Sequence, residues 1–288
     1  MATTVNKKRL RVTELDFDEI KENLKLFLKA QEEFKDYDFD GSGMNILLDT
    51  LAYNTHYLGY NANMLANEMF LDSASLRSSI VSHAKQLGYE VQSARAAKAI
   101  LSISVKTSAA TLTMSAGTKF STTLDGDTYN FVTTTDITKP KFGNSVNFDS
   151  VEVFEGTFIE TRYTVDTSDL EQRFILRDNR ADTSTLTVKV INSATDSTTT
   201  TYTKATDITQ LANNSTVYFL QEVEGGKFEV YFGDGVVSKA VEDGNIVSLS
   251  YVVTNKSEAN GASSFTAPST IGGQTDITLT TILRATGG

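Results

Sequence analysis

The clearest candidate for chemistry in this sequence is an acidic segment, residues 36–41. It matches the first six positions of an EF-hand calcium loop, with aspartates at alternate positions followed by glycine: Asp36, Asp38, Asp40 and Gly41. That loop also needs a branched apolar residue at its eighth position and a bidentate acid at its twelfth, where this chain has Gly43 and Leu47. We therefore interpret the segment as an acidic turn between two helices, in which Asp40 or Ser42 caps the second helix. Calcium binding is the minor alternative.

Few side chains of this sequence could support other kinds of catalysis or metal binding. The sequence has no cysteine, two histidines and no Gly-x-Ser-x-Gly nucleophile motif. His56 and His83 both fall in helical patterns without a second ligand at the spacing that zinc needs. Asp125 and Asp127 lie in a glycine turn with no aromatic sugar platform beside them. We predict no catalytic residue, no metal site and no cofactor, and therefore a protein that is not an enzyme.

Length and charge limit the remaining classes. A chain of 288 residues can form two domains, and it contains no apolar run of the length that crosses a bilayer. Its formal net charge of −10 argues against a nucleic-acid partner. Residues 1–15 include a short basic stretch without a following apolar run, so we interpret them as a flexible or extended arm rather than a secretion signal. We expect neither nucleic acid nor membrane as a partner, and a protein made in the cytoplasm.

The periodicity of apolar residues changes near residue 95. Residues 16–95 repeat with helical spacing, whereas residues 96–288 are rich in Thr, Ser and Val and alternate with period two. No long helical pattern separates the later strands, which favours antiparallel pairing. The predicted fold class is α+β: an N-terminal helical module of about three helices that forms a bundle, followed by a mainly antiparallel β-rich domain.

Each of the three helices has recognisable ends. The first begins at Asp16, whose carboxylate can accept hydrogen bonds from the opening turn. The second runs from about Gly43 to Phe70. The third runs from Ser75 to Leu87 and stops before a glycine, as helices commonly do.

The second helix carries a heptad pattern that is typical of helix bundles. Its apolar positions follow steps of four and three, with Thr55 and Ala62 completing the series, and they form the predicted partner-helix interface: Met44, Leu48, Leu51, Leu58, Leu65 and Met69. Further apolar residues lie outside this seam: Ile46, Tyr53, Tyr57, Tyr60, Met64 and Phe70. No Lys or Arg occurs between Lys35 and Arg77. Either the β-rich domain or a partner's helices must cover such a helix, and the unbroken heptad register favours a partner.

Several segments resemble the N-terminal region of contractile-tail phage baseplate wedge proteins. The family is that of the T4-type inner-ring wedge subunits, which are related to the baseplate J-like proteins. The order and spacing of eight segments carry the resemblance: Phe39–Ser42, Leu51–Thr55, Asn67–Phe70, Ala74–Ser79, Leu87–Tyr89, Phe228–Gly235, Glu242–Gly244 and Ala259–Ala262.

The resemblance implies a non-enzymatic ring component of the virion tail baseplate, assembled in the bacterial host cytoplasm. Its implied partners are a second copy of the chain and a different wedge subunit, joined through a helical bundle, and other baseplate proteins near the tail tube and sheath. Family members continue beyond the position of Gly288, so the resemblance also implies a β-rich domain truncated on its C-terminal side. The alternative function is a β-rich module that binds a surface glycan or calcium.

One motif of the resemblance predicts backbone geometry. Phe232, Gly233, Asp234 and Gly235 are expected to mark the fold as a tight hairpin, in which both glycines adopt positive φ.

Overall fold

The computed structural model describes residues 16–89, 91–206 and 211–288. The chain divides into two compact units between Val91 and Gln92. We call them the helical unit and the β-rich unit.

The helical unit contains α1 (Phe17–Lys29), a short 3-10 turn (Glu32–Phe34), α2 (Met44–Glu68) and α3 (Arg77–Gln86). The start of α1 confirms the predicted cap: Asp16 Oδ1 accepts hydrogen bonds from the backbone N–H groups of Asp18 at 2.8 Å and Glu19 at 3.3 Å. Two N–H groups that the helix itself cannot satisfy are thereby paired. Within the described residues, no helix is both long enough and apolar enough to cross a membrane.

The start of α2 differs from the prediction. Its N-cap is Gly43, which provides no side-chain acceptor, so neither Asp40 nor Ser42 caps the helix. The Ser42 hydroxyl instead donates to the Phe39 carbonyl at 3.3 Å, and the Asp40 carboxylate pairs with Lys25 Nζ of α1 at 2.6 Å. Because the Lys25 ammonium holds this carboxylate, the carboxylate does not cap α2.

A five-stranded sheet and a small two-stranded sheet form one part of the β-rich unit. The five-stranded sheet, in the order β14-β1-β6-β4-β3, consists of β1 (Lys98–Lys106), β3 (Lys119–Leu124), β4 (Asp127–Val132), β6 (Ser145–Glu155) and β14 (Ile277–Thr286). The two-stranded sheet pairs β2 (Thr111–Met114) with β5 (Ile137–Pro140). Alternate residues of β1 are fully buried, among them Leu101, Ile103 and Val105, as period-two patterning predicts.

A seven-stranded sheet forms the other part. In the order β7-β13-β9-β10-β11-β12-β8, it consists of β7 (Thr157–Thr164), β8 (Phe174–Ile175), β9 (Ala181–Ile191), β10 (Thr199–Lys204), β11 (Val217–Glu222), β12 (Phe228–Phe232) and β13 (Ile246–Val253). Among the pairings of the named strands in the described residues, β10 with β11 is parallel and the others are antiparallel. The predicted fold class is therefore confirmed.

The turn from β6 to β7 connects the two large sheets. Glu155, at the end of β6, is 1% exposed and accepts hydrogen bonds from Thr254 Oγ1 at 2.7 Å and from the backbone and side-chain nitrogens of Asn255, each at 2.9 Å. Gly156 follows with φ +129°. A Cβ atom on Gly156 would lie close to the Val253 carbonyl oxygen, so only glycine fits this junction.

The segment 232–235 corrects one prediction. After β12 ends at Phe232 the next strand is β13, which pairs with β7 and β9, so the motif does not form a hairpin. Gly235 has the expected positive φ of +86°, but Gly233 does not. Gly233 instead leaves room for the Ser238 side chain, because a Cβ atom at position 233 would overlap Ser238 Oγ. Asp234 Oδ1 fixes the turn by accepting from the N–H groups of Val236 at 2.9 Å and Val237 at 3.3 Å.

Candidate partner-helix interface

One face of α2 is buried within the helical unit. Its buried residues, Leu48, Ala52 and Gly59, lie on a single stripe of the helix, and α1 contacts α2. Lys21 of α1 pairs with Asp49 of α2 at 2.5 Å. A second ion pair, Lys25 with Asp40, raises the pKa of the lysine and lowers that of the aspartate, chiefly through their hydrogen bond. These contacts position α2, and the Lys21 pair neutralises the charge of Asp49.

Most of the predicted seam lies beside this buried face and is open. Leu51, Leu58, Leu65 and Met69 are 53% to 67% exposed. Met44 is half-buried, and Leu48 is only 2% exposed. Leu48 packs inside the helical unit and cannot also contact a partner, so the open seam begins at Leu51.

A second exposed apolar stripe follows α2 on another side. Tyr53, Tyr57 and Tyr60 are 56% to 62% exposed, and Ile46 and Met64 continue the stripe in both directions. The rings of Tyr53 and Tyr57 stack with centroids 6.2 Å apart. At about 100° per residue, the seam and this tyrosine stripe lie roughly 150° apart around the helix. They can therefore contact two different neighbours.

Two hydroxyl groups of α2 are satisfied by the backbone of the helix itself. The hydroxyl groups of Thr50 and Thr55 donate to the carbonyls of Ile46 and Leu51, at 2.8 and 2.9 Å. Thr55, the polar position of the seam, thus needs no partner for its hydroxyl. Since Asp49 pairs with Lys21, the exposed stripes offer apolar side chains with little charge among them.

Glu68, at the end of α2, has a role that the sequence analysis missed. Its carboxylate accepts from the backbone N–H of Ser75 at 2.9 Å, the Ser75 hydroxyl at 2.8 Å and the Leu76 N–H at 3.2 Å. Leu76 is the N-cap residue of α3 and has no capping side chain of its own. The backbone hydrogen bond from Ser75 contributes most to lowering the pKa of Glu68 to about 2. No local pattern signals this cap, because the acid belongs to the preceding helix.

Two other residues that were candidates for chemistry, Asp38 and His83, make contacts that hold the fold together. Asp38 Oδ1 accepts from the N–H groups of Asp40 at 3.1 Å and Gly41 at 3.2 Å, which closes the acidic turn on itself. His83 Nε2 lies 2.9 Å from the Glu68 carbonyl oxygen and joins α3 to α2. In the part of the chain that the structure describes, no group of three or more His, Cys, Asp or Glu residues is arranged to hold a metal ion.

Comparison with known proteins gives two matches to family models. Residues 16–89, which include all three helices, match the helical domain of gp6-like baseplate wedge proteins. Residues 159–262 match the third domain of the bacteriophage baseplate wedge protein gp6. The second match ends before β14, which returns to pair with β1, so the strands of the five-stranded sheet flank it in sequence.

The chain is also 30% identical over 291 residues to the baseplate wedge protein gp6 of Enterobacteria phage T4. The alignment includes 92% of this chain and 42% of that protein. The chain thus spans less than half the length of this relative.

Proposed function

The chain belongs to the gp6-like baseplate wedge family, and from this premise we propose that its helical unit joins partner subunits through a helical bundle to build the ring around a tail hub. The coarser role, a structural component of a phage baseplate wedge, follows from the family itself. The proposal adds the surface through which the subunit assembles.

The exposed seam of α2 carries the proposal. Four large apolar side chains recur along it at heptad spacing, Leu51, Leu58, Leu65 and Met69, and each is more than half exposed. Burying a side chain of this size contributes about 1.5–3 kcal/mol. Contiguous apolar surface of this kind marks an interaction site, and the heptad spacing suits another helix better than a sheet.

The tyrosine stripe is evidence that α2 contacts more than one partner helix. Because it lies on a different side of α2 from the seam, one neighbouring helix cannot cover both. We propose that the two stripes contact a second copy of the chain and a different wedge subunit. In this arrangement the protein is a non-enzymatic subunit of the virion tail baseplate, near the tail tube and sheath, and is assembled in the host cytoplasm.

Charge substitutions on α2 test the proposal. Leu51→Asp or Leu58→Asp places a carboxylate in the seam, where burial without a partner costs several kcal/mol. Asn54→Asp is the matched control, because it adds the same charge to an exposed polar position of the same helix. Each chain is co-expressed with the other wedge subunits of its phage, and the complexes are measured by affinity capture and sedimentation.

We expect both leucine variants to lose co-assembly and Asn54→Asp to retain it, with unchanged circular dichroism of the isolated chains. Normal wedge formation by Leu51→Asp and Leu58→Asp would refute the seam as the joining surface. Equal loss of co-assembly in Asn54→Asp would also refute it, because any charge added to α2 would then prevent co-assembly.

A further inference from the structure

A polar cleft of about 590 Å³ lies on the β-rich unit. Its floor is formed by one face of β7, β13 and β9 with the first residue of β10, and its wall by residues 134–136 together with Ala116. The opposite face of β13 belongs to the core, where Val247, Leu249 and Tyr251 are fully buried. Because the two faces alternate along the strand, the cleft side chains are held by the packing beneath them.

Strand register places the polar groups of the floor in rows. Ser248 of β13 lies opposite Arg162 of β7 and Lys189 of β9. In the next row, Ser250 lies opposite Glu160 and Thr187. Each row spans three strands at about 4.8 Å per strand, which is the scale of a sugar ring and its substituents.

The two carboxylates of the cleft are already bound by protein donors. Glu160 Oε1 accepts from Ser248 Oγ at 2.8 Å and from Arg162 Nε at 2.9 Å, and these hydrogen bonds lower the pKa of Glu160, that from Ser248 most. Asp136 Oδ1 accepts from the Ala116 N–H at 2.8 Å. Both carboxylates can still accept from a ligand hydroxyl through their remaining lone pairs.

Several donors of the cleft have no such protein partner. Within the described residues Lys189 forms no ion pair, and the hydroxyl groups of Thr187 and Ser250 make no hydrogen bond. The terminal nitrogens of Arg162 also remain available, because its ion pair with Glu160 uses Nε. One side of the floor thus offers cationic donors and the other offers hydroxyl groups.

Apolar side chains stand at the two ends of the floor. Phe158 lies in the row of Val252, and Ile191 lies in the row of Ile246, so the charged and hydroxyl rows fall between them. A ligand of this cleft must combine many hydroxyl groups with apolar C–H faces and one negative charge. We propose that the cleft binds a short acidic saccharide, with its carboxylate at Lys189 and Arg162 and its hydroxyl groups at Ser250, Thr187 and Glu160.

Ligands with several phosphate groups fit less well, because Glu160 and Asp136 repel a second negative charge. A neutral saccharide fits less well because it offers no carboxylate to the Lys189 ammonium or to the terminal nitrogens of Arg162. The charge distribution of the cleft therefore selects one carboxylate on a hydroxyl-rich ring.

Calorimetric titration of the full chain tests the site with three probes: glucuronosyl-maltose, which is a trisaccharide with a single carboxylate, its neutral counterpart maltotriose, and sodium acetate. We expect saturable binding of glucuronosyl-maltose only. Lys189→Ala should weaken that binding about tenfold and Ser250→Ala severalfold, as for the loss of a charged and a neutral hydrogen bond. Lys227→Ala is the control, since it removes an exposed lysine between β11 and β12 and should leave the affinity unchanged.

Three results would overturn the proposal. Absence of glucuronosyl-maltose binding would show that the cleft takes no saccharide with a single carboxylate. Equal binding of maltotriose or acetate would show that the combination of hydroxyl groups and carboxylate is not recognised. Undiminished binding to Lys189→Ala would place the saccharide elsewhere. The site does not depend on the helical interface, and each can fail without the other.

Discussion

The Glu68 carboxylate accepts hydrogen bonds from both the backbone N–H and the hydroxyl of Ser75, at 2.9 and 2.8 Å. The last residue of α2 thereby caps α3. Capping acids usually lie beside the first turn of their own helix, whereas this one is supplied from the preceding helix.

Glu68→Gln is expected to lower the thermal stability of the helices at pH 7, because the amide lacks the negative charge that favours the N-terminus of α3. The folded-state pKa of about 2 lies below the ordinary value of 4.5. The stabilisation is therefore complete above pH 4.5 and is lost as the pH falls through about 2. Melting followed at 222 nm should separate Glu68→Gln from the parent at pH 7, and the difference should shrink towards pH 2.

Glu22→Gln provides the control for this effect, because Glu22 is an exposed acid of α1. It should melt like the parent at both pH values. A Glu68→Gln chain as stable as the parent at pH 7 would show that the carboxylate charge does not stabilise α3.

Gly156→Ala is expected to destabilise the β-rich unit by at least about 2–3 kcal/mol, through both strain at positive φ and overlap with the Val253 carbonyl. Gly126→Ala separates the two causes, since Gly126 has φ +98° and no atom within 4 Å of an added Cβ. It should cost only about 1–2 kcal/mol. Urea unfolding of both variants measures the difference, and equal costs would contradict the steric part.

Gly233 and Ser238 should behave as a coupled pair. The Ser238 hydroxyl is buried without a hydrogen-bond partner in the described part of the chain, so Ser238→Ala is expected to be neutral or to stabilise by about 1 kcal/mol. Gly233→Ala alone should destabilise by about 2 kcal/mol, because its Cβ overlaps that hydroxyl.

The double variant Gly233→Ala with Ser238→Ala should recover most of the loss, because the nearest remaining atoms lie 3.0 Å from the added Cβ. A double-mutant cycle from urea unfolding gives the coupling energy. Simple additivity would mean that Gly233 is needed for some reason other than this contact.

The sequence predicts those features that depend on near neighbours in the chain. Helical spacing located all three helices, and Asp16 capped α1 as its position suggested. The errors concern contacts that no local spacing rule reveals. Lys25 lies on another helix and binds Asp40, and Ser238 restricts Gly233 from five residues away. The pairing of β1 with β14 also could not be predicted from the sequence. Alternation with period two shows which residues of a strand face inward, but not which strand lies beside it.

The same limit applies to the seam of α2. Heptad spacing identified Leu51, Leu58, Leu65 and Met69, but it gave Leu48 the same role although that side chain is buried. Periodicity defines a stripe on the helix, whereas the neighbouring helix decides where along the stripe the surface is open.

The two apolar stripes of α2 should contact different chains in the assembled wedge. A photo-crosslinking amino acid at Leu58 reports on the seam, and one at Tyr57 reports on the tyrosine stripe. Both positions are more than half exposed, so the probe should not disturb the isolated helical unit. Adjacent residues of a helix point about 100° apart, so the two probes sample different neighbours although their Cα atoms are close.

In wedges assembled by co-expression, we expect the two probes to give crosslinks to different partners when the products are identified by mass spectrometry. One should reach a second copy of the chain and the other a different wedge subunit. A probe at Asn54, between the stripes, should give the weakest crosslinks. If Leu58 and Tyr57 reached the same segment of one partner, α2 would have a single neighbour, and the bundle would need fewer helices than its two exposed stripes imply.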